Sequence, residues 1–130
     1  MILLDTNVVL WLAFEPARIS KETHLAIAQA RQKDEAIAVC AITLLEVATL
    51  LTKGRISLDI SLEQFLNDIE SRFTVLPITA RTCARILTLP PSFPKDPADR
   101  IIGATALVEG LTLVTADRNI RRSRALRTIW

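Results

Sequence analysis

The chain has 130 residues and a mass of 14.4 kDa, which suits one domain and leaves no room for a separate substrate domain. Half of its residues are hydrophobic, which excludes disorder, and a chain of this length buries roughly two-thirds of its unfolded surface, so its core needs no covalent staples. The formal net charge of +2 is uneven: residues 1–117 carry 11 Lys/Arg against 14 Asp/Glu, whereas residues 118–130 carry five arginines and no acid.

The first fourteen residues are apolar enough to suggest an export signal. However, no Lys or Arg precedes the run, Asp5 and Asn7 interrupt it, and no small-residue cleavage site follows. No apolar stretch approaches the ~20 residues of a membrane span, so the expectation is a soluble, cytoplasmic chain that stays clear of the membrane. Residues 2–5 read as a strand and 7–14 as a helix, followed by a helix over about 21–32 that carries His24, the only histidine. A second strand spans 36–42 and includes Cys40 as a small core residue. Cys40 and Cys83 are too few for a disulfide scaffold and have no metal-ligand spacing, so both read as reduced thiols.

Helices follow at 43–53 and 61–72, the latter with Leu62, Phe65, Leu66 and Ile69 at offsets 0, 3, 4 and 7 and polar residues elsewhere. A strand over 73–78, a helix over 80–87 and a breaker, Leu89-Pro-Pro-Ser-Phe-Pro94, lead to a helix over 97–109. Pro97 after Asp96 matches a first-turn proline behind an N-cap, and Gly54 and Gly110 stand where left-handed C-caps are wanted. A last strand covers 111–115. The arginine-rich remainder reads as a basic tail, suited to a phosphate backbone, an acidic partner or plain solvent. Alternating strands and helices predict a single-domain three-layer α/β/α sandwich around a parallel sheet.

In an open parallel sheet ligands collect at the carboxyl ends of the strands. Four acids fall there: Asp5 after the first strand, Glu46 one turn beyond the second, Asp99 after the proline loop and Asp117 after the last strand. Each also has an ordinary reading. Asp5 can cap the following helix, Glu46 can close a capping box in Thr43-Leu-Leu-Glu46, Asp99 can favour a helix dipole and Asp117 can sit in a turn. Taken together, like charges at ~4 Å repel by about 4 kcal/mol per pair at an effective dielectric of 20, so such a cluster calls for positive charge. With His24 read as a surface residue, an all-oxygen set favours Mg²⁺ or Mn²⁺ over zinc. Metal-assisted phosphodiester hydrolysis is then the leading chemistry. There is no Gly-rich phosphate loop and no nucleophile elbow.

The stretches Ile2-Leu-Leu-Asp-Thr-Asn-Val8, Ala41-Ile-Thr-Leu-Leu-Glu46, Asp96-Pro-Ala-Asp-Arg-Ile-Ile-Gly-Ala-Thr-Ala106 and Leu113-Val-Thr-Ala-Asp117, in that order, resemble the PIN-domain ribonucleases and, within them, the VapC-type toxins of toxin–antitoxin pairs. The resemblance implies a PIN-like fold and a Mg²⁺-dependent endoribonuclease, with Asp5, Glu46, Asp99 and Asp117 as the metal-binding and catalytic quartet. It also implies that Thr6, Asn7 and Thr115 support those acids. Asp96 is assigned to capping. Further implications are a homodimer and a cognate antitoxin whose segment lies in an apolar groove, for which Val8, Val9, Trp11, Leu12 and the Leu44–Leu51 helix offer surface. The competing readings are a catalytically inactive PIN-like RNA- or protein-binding module and a phosphoacceptor domain. The latter lacks adjacent acids after the first strand and a late lysine.

Overall fold

A computed structural model describes all 130 residues. Five parallel strands, β1 (Ile2–Leu4), β2 (Ile37–Cys40), β3 (Thr74–Leu76), β4 (Thr112–Val114) and β5 (Thr128–Ile129), form one sheet in the order β3-β2-β1-β4-β5. Seven helices connect them: α1 (Thr6–Phe14), α2 (Lys21–Gln32), α3 (Ala41–Thr52), α4 (Leu62–Arg72), α5 (Ala80–Arg85), α6 (Pro97–Glu109) and α7 (Arg118–Ser123). The expected three-layer sandwich is therefore the observed one. No helix is long and apolar enough to cross a membrane.

Both faces of the sheet are covered, and strand alternation decides which residue serves which layer. Leu4, Ile37, Val39 and Val114 join Val8, Val9, Ile27, Val47 and Ile69 on one side. Leu3, Ala38, Cys40 and Leu113 join Phe93, Ile102, Ala106 and Ile120 on the other. The strands consequently read as continuous apolar runs rather than alternating ones.

Local signals set several boundaries. Ser61 caps α4 by accepting from the Gln64 amide, and Asp96 caps α6 by accepting from Ala98 and Asp99, with Pro97 in the first turn. Gly110 (φ 65°) and Gly54 (φ 69°) end α6 and α3 in the left-handed conformation. Around Gly54, its own amide donates to the Leu51 carbonyl and that of Arg55 to Leu50, the paired bonds of a Schellman cap.

Elsewhere the boundaries differ from expectation. Helix α3 starts at Ala41, two residues early, because Cys40 ends β2 and leads into it with no side-chain cap for sequence to reveal. Thr43 is therefore inside the helix, which removes the capping-box reading of Glu46. The helix expected over 80–87 is α5 followed by a 3-10 turn, Ile86–Thr88. The arginine-rich segment is not a free tail. It forms α7, anchored by the fully buried Ile120, and β5, which pairs with β4. Trp130 then packs back on α1, its ring centroid 5.6 Å from that of Trp11, over which Arg18 lies at 4.2 Å.

Gly103 on α6 carries the closest packing. A Cβ placed there would stand 2.6 Å from Cζ of Phe93, a ring only 1% exposed that ties the proline loop to the core. Gly103→Ala is expected to lower stability by about 1–3 kcal/mol, despite alanine's better helix propensity. A urea melt as stable as that of the unchanged chain would show that the Phe93 ring yields freely.

Candidate acidic site at the sheet switch point

Strand β1 pairs with β2 on one side and β4 on the other, so the connections turn in opposite directions about β1. The crevice between β1 and β4 at their carboxyl ends is the topological switch point, where open α/β sheets place ligands. Asp5 and Thr115 are the residues that follow the paired Leu4 and Val114. The ladder continues one step further, the Asp5 amide donating to the Val114 carbonyl at 3.0 Å.

This register brings the Asp5 and Thr115 side chains together. Thr115 Oγ1 donates to Asp5 Oδ2 at 2.7 Å and accepts from the Asp117 amide at 3.1 Å. The other oxygen, Asp5 Oδ1, accepts from the Thr6 amide at 2.8 Å. Asp5 is thus both the N-cap of α1 and a wall of the crevice, and its two ordinary roles coexist. Asp117 likewise caps α7, its Oδ1 accepting from the Asn119 and Ile120 amides.

Glu46 arrives from α3. Its Oε1 accepts from Thr6 Oγ1 at 2.5 Å, and Thr6 Oγ1 lies 3.0 Å from Thr43 Oγ1. A hydroxyl has one proton, so Thr6 gives its own to the carboxylate and Thr43 must be the donor to Thr6. Thr43, which the sequence offers only as a capping-box partner, belongs to this network. Its signal is the i, i+3 spacing to Glu46, which places both on one face of α3. Thr6 donates to Glu46 and Thr115 to Asp5, whereas Asn7 is exposed and makes none of the hydrogen bonds to these acids.

Electrostatics tie these groups to Asp99 on the first turn of α6. Its carboxyl is pushed up to about 7, first by burial and then by the charges of Asp5, Asp96, Asp117 and Glu46. Asp5, 7% exposed, is also raised by burial, against which the Thr115 and Thr6 hydrogen bonds act, with the charges of Asp117 and Asp96 adding to the rise. Glu46 is raised by burial and by the charges of Asp5 and Asp96, with the Thr6 hydrogen bond opposing. Asp99 therefore feels the other three predicted acids, and Asp96, although exposed and occupied in capping, adds to the field at Asp5, Glu46 and Asp99. No Lys or Arg forms a salt bridge with any of them: the ion pairs of the chain are Met1–Glu35 and Arg18–Glu15.

The donors suit a hard divalent cation: they are carboxylates, pressed together without a basic partner, at a crevice that hydroxyls hold in place. As the side chains stand, no three of them close on a single point. The remaining candidates lie elsewhere, His24 exposed on α2, Cys40 buried in the core beside Thr105 and Cys83 exposed. Thr115→Val, close in shape, is expected to cost about 1–3 kcal/mol by leaving the Asp117 amide and Asp5 Oδ2 without their partner. An unchanged denaturation midpoint would show that neither bond matters to stability.

Fold and site together define a class: a three-layer α/β protein with carboxylates gathered across the switch point of a parallel sheet. Residues 2–126 match the PIN domain family. The chain is 40% identical over 131 residues to Ribonuclease VapC22 of Mycobacterium tuberculosis, covering 99% of this chain and 98% of that one. The chain belongs to the PIN domain family. Similar folds occur in VapBC2 from Rickettsia felis bound to a promoter DNA fragment, with a TM-score of 0.75 at 22% identity over 100% of this chain and 99% of that one. FitAcB from Neisseria gonorrhoeae has a TM-score of 0.65 at 25% identity, covering 100% and 97%.

Proposed function

We propose that the chain is an endoribonuclease, the toxin of a toxin–antitoxin pair, which hydrolyses RNA phosphodiester bonds with Mg²⁺, or Mn²⁺, held among Asp5, Glu46, Asp99 and Asp117. The observation that carries this reading is the carboxylate cluster itself: mutually repelling, partly desolvated and without a Lys or Arg partner. The likeness to a relative named as a ribonuclease over the full length of the chain supports the substrate class.

When bound, a divalent cation polarises a phosphodiester and lowers the pKa of a coordinated water. The residues of this chain prepare the place. Thr6 and Thr115 orient Glu46 and Asp5 by donating to their carboxylates. Asp99 stands on a helix whose first turn Asp96 caps, and it completes the negative field. Each of these hydroxyl and amide donors occupies only part of a carboxylate's accepting capacity, so the oxygens keep lone pairs for a further ligand.

The same reading includes a cytoplasmic homodimer and an antitoxin. Similar folds are found in toxin–antitoxin complexes, those from Rickettsia felis and Klebsiella pneumoniae among them. In this chain Leu12 and Trp11 are half-buried, and Leu45 is 61% exposed, so part of the apolar surface proposed for such a partner is open, whereas Val8 and Val9 are core.

The deciding experiment is cleavage of bulk cellular RNA by the purified chain with Mg²⁺ and with chelator. Cutting with metal alone is the expected result. Cutting that persists in chelator would overturn the metal-dependent mechanism. Stoichiometric RNA binding without any cutting would favour the inactive binding module.

A further inference from the structure

The surface of α7 and its continuation is strongly basic and has no acidic partner within the chain. Arg118, Arg121, Arg122, Arg124 and Arg127 follow Asp117 with no acid among them, and none takes part in a salt bridge. Arg118, Arg121 and Arg122 have the i, i+3, i+4 spacing that shares one helix face. All three are exposed, while Ile120 points into the core.

Past the helix, Arg124 adopts a left-handed backbone conformation (φ 54°) that L side chains rarely take. The chain then turns into β5. Arg121, Arg124 and Arg127 together line a cavity of about 570 Å³ against Leu107 and Gly110 at the end of α6. Arg127 is held there by its Nη2, which donates to the Gly110 carbonyl at 3.2 Å.

The placement relative to the carboxylates gives this surface a direction. Asp117 is the N-cap of α7, so the arginine face begins beside the acidic crevice. It extends along a helix of six residues, about 9 Å at 1.5 Å per residue, and ends at the cavity. Guanidinium forks match phosphate oxygens in pairs. The segment's one aromatic residue, Trp130, is engaged with Trp11, leaving no stacking platform for bases on this face.

We propose that the α7 face and the Arg121–Arg124–Arg127 cavity form a docking track for the phosphate backbone of single-stranded RNA, leading away from the carboxylate site. This deepens the ribonuclease reading and rests on it for the identity of the strand. Backbone contacts position a strand without reading its sequence, so the track is indifferent to base composition.

The test is equilibrium binding of a short, mixed-sequence, fluorescently labelled single-stranded RNA in chelator, where no metal-dependent cutting occurs, across a salt series. The unchanged chain is compared with an Arg121→Ala/Arg122→Ala/Arg124→Ala variant. A charge-matched control, Lys21→Ala/Arg31→Ala/Lys33→Ala, lies on and just after α2, and circular dichroism melts establish that all three fold. The α7 variant is expected to bind about tenfold or more weakly at low salt. Its log–log salt slope should be shallower by about 2, three phosphate contacts at about 0.7 each, with the control close to the unchanged chain.

Equal affinity and slope for the unchanged chain and the α7 variant would overturn the proposal, as would equal losses in variant and control, which would mean net charge alone. Tighter binding of poly-glutamate than of RNA, lost in the α7 variant, would assign the face to an acidic protein segment instead. Cleavage with Mg²⁺ is scored separately. RNA cut by a chain whose α7 variant binds RNA unchanged defeats the track alone, whereas absence of cutting beside intact α7-dependent binding defeats the ribonuclease reading alone.

Discussion

Asp99→Asn is expected to reduce metal-dependent RNA cleavage by about a thousandfold or more, the rate equivalent of several kcal/mol of electrostatic stabilisation, while the fold survives. Asparagine keeps the shape and the backbone amide through which residue 99 bonds the Asp96 cap. It removes a charge that burial and four neighbouring carboxylates already penalise. The variant should therefore melt at or above the temperature of the unchanged chain near neutral pH in chelator. Cleavage at an unchanged rate would remove Asp99 from the site. A collapsed melting temperature would mean that Asp99 holds the fold rather than the chemistry.

The second expected result concerns pH and metal together. Asp5, Glu46 and Asp99 all have carboxyls raised in the folded state, Asp99 to about 7 against an ordinary 3.8. Between those values the folded chain holds more protons than the unfolded one, so stability falls as pH rises. The full contribution is present below the ordinary carboxylate range and is lost through about pH 7. In chelator the chain should melt higher at about pH 5 than at about pH 7.5, and Asp99→Asn should remove much of that slope.

The proposed Mg²⁺ is expected to reverse the trend at the upper end, because ligation requires deprotonated carboxylates. Near pH 7.5 a free Mg²⁺ concentration of about 100 times Kd should add about 2.7 kcal/mol, a shift of several degrees. Near pH 5 it should add little. A melting temperature that rises from pH 5 to 7.5 in chelator, or one that ignores Mg²⁺ at both, would count against a carboxylate cation site.

Much of the fold was legible because its signals are local. The apolar offsets and polar remainder of α4, the Asp96–Pro97 start of α6 and the glycine ends of α3 and α6 each depend on residues within a few positions of one another. Four of the five strands were visible as short apolar runs. β5 was not, since two residues show no period, and α7 offers a single buried apolar side chain, Ile120, among arginines. Both are made stable by what they pack against, β4 for the strand and the core beneath for the helix.

By itself, the sequence determined the alternating architecture, and with it the expectation that Asp5, Glu46, Asp99 and Asp117 stand toward one edge of a parallel sheet. Only the tertiary structure decided how those acids are held. Thr115 reaches Asp5 across 110 positions and Thr6 reaches Glu46 across 40, contacts set by the pairing of Leu4 with Val114 and by the packing of α1 on α3. It also decided that the arginines form a structured face rather than a tail. Local propensity acts through neighbours in the chain, whereas register, burial and summed charge act through neighbours in space.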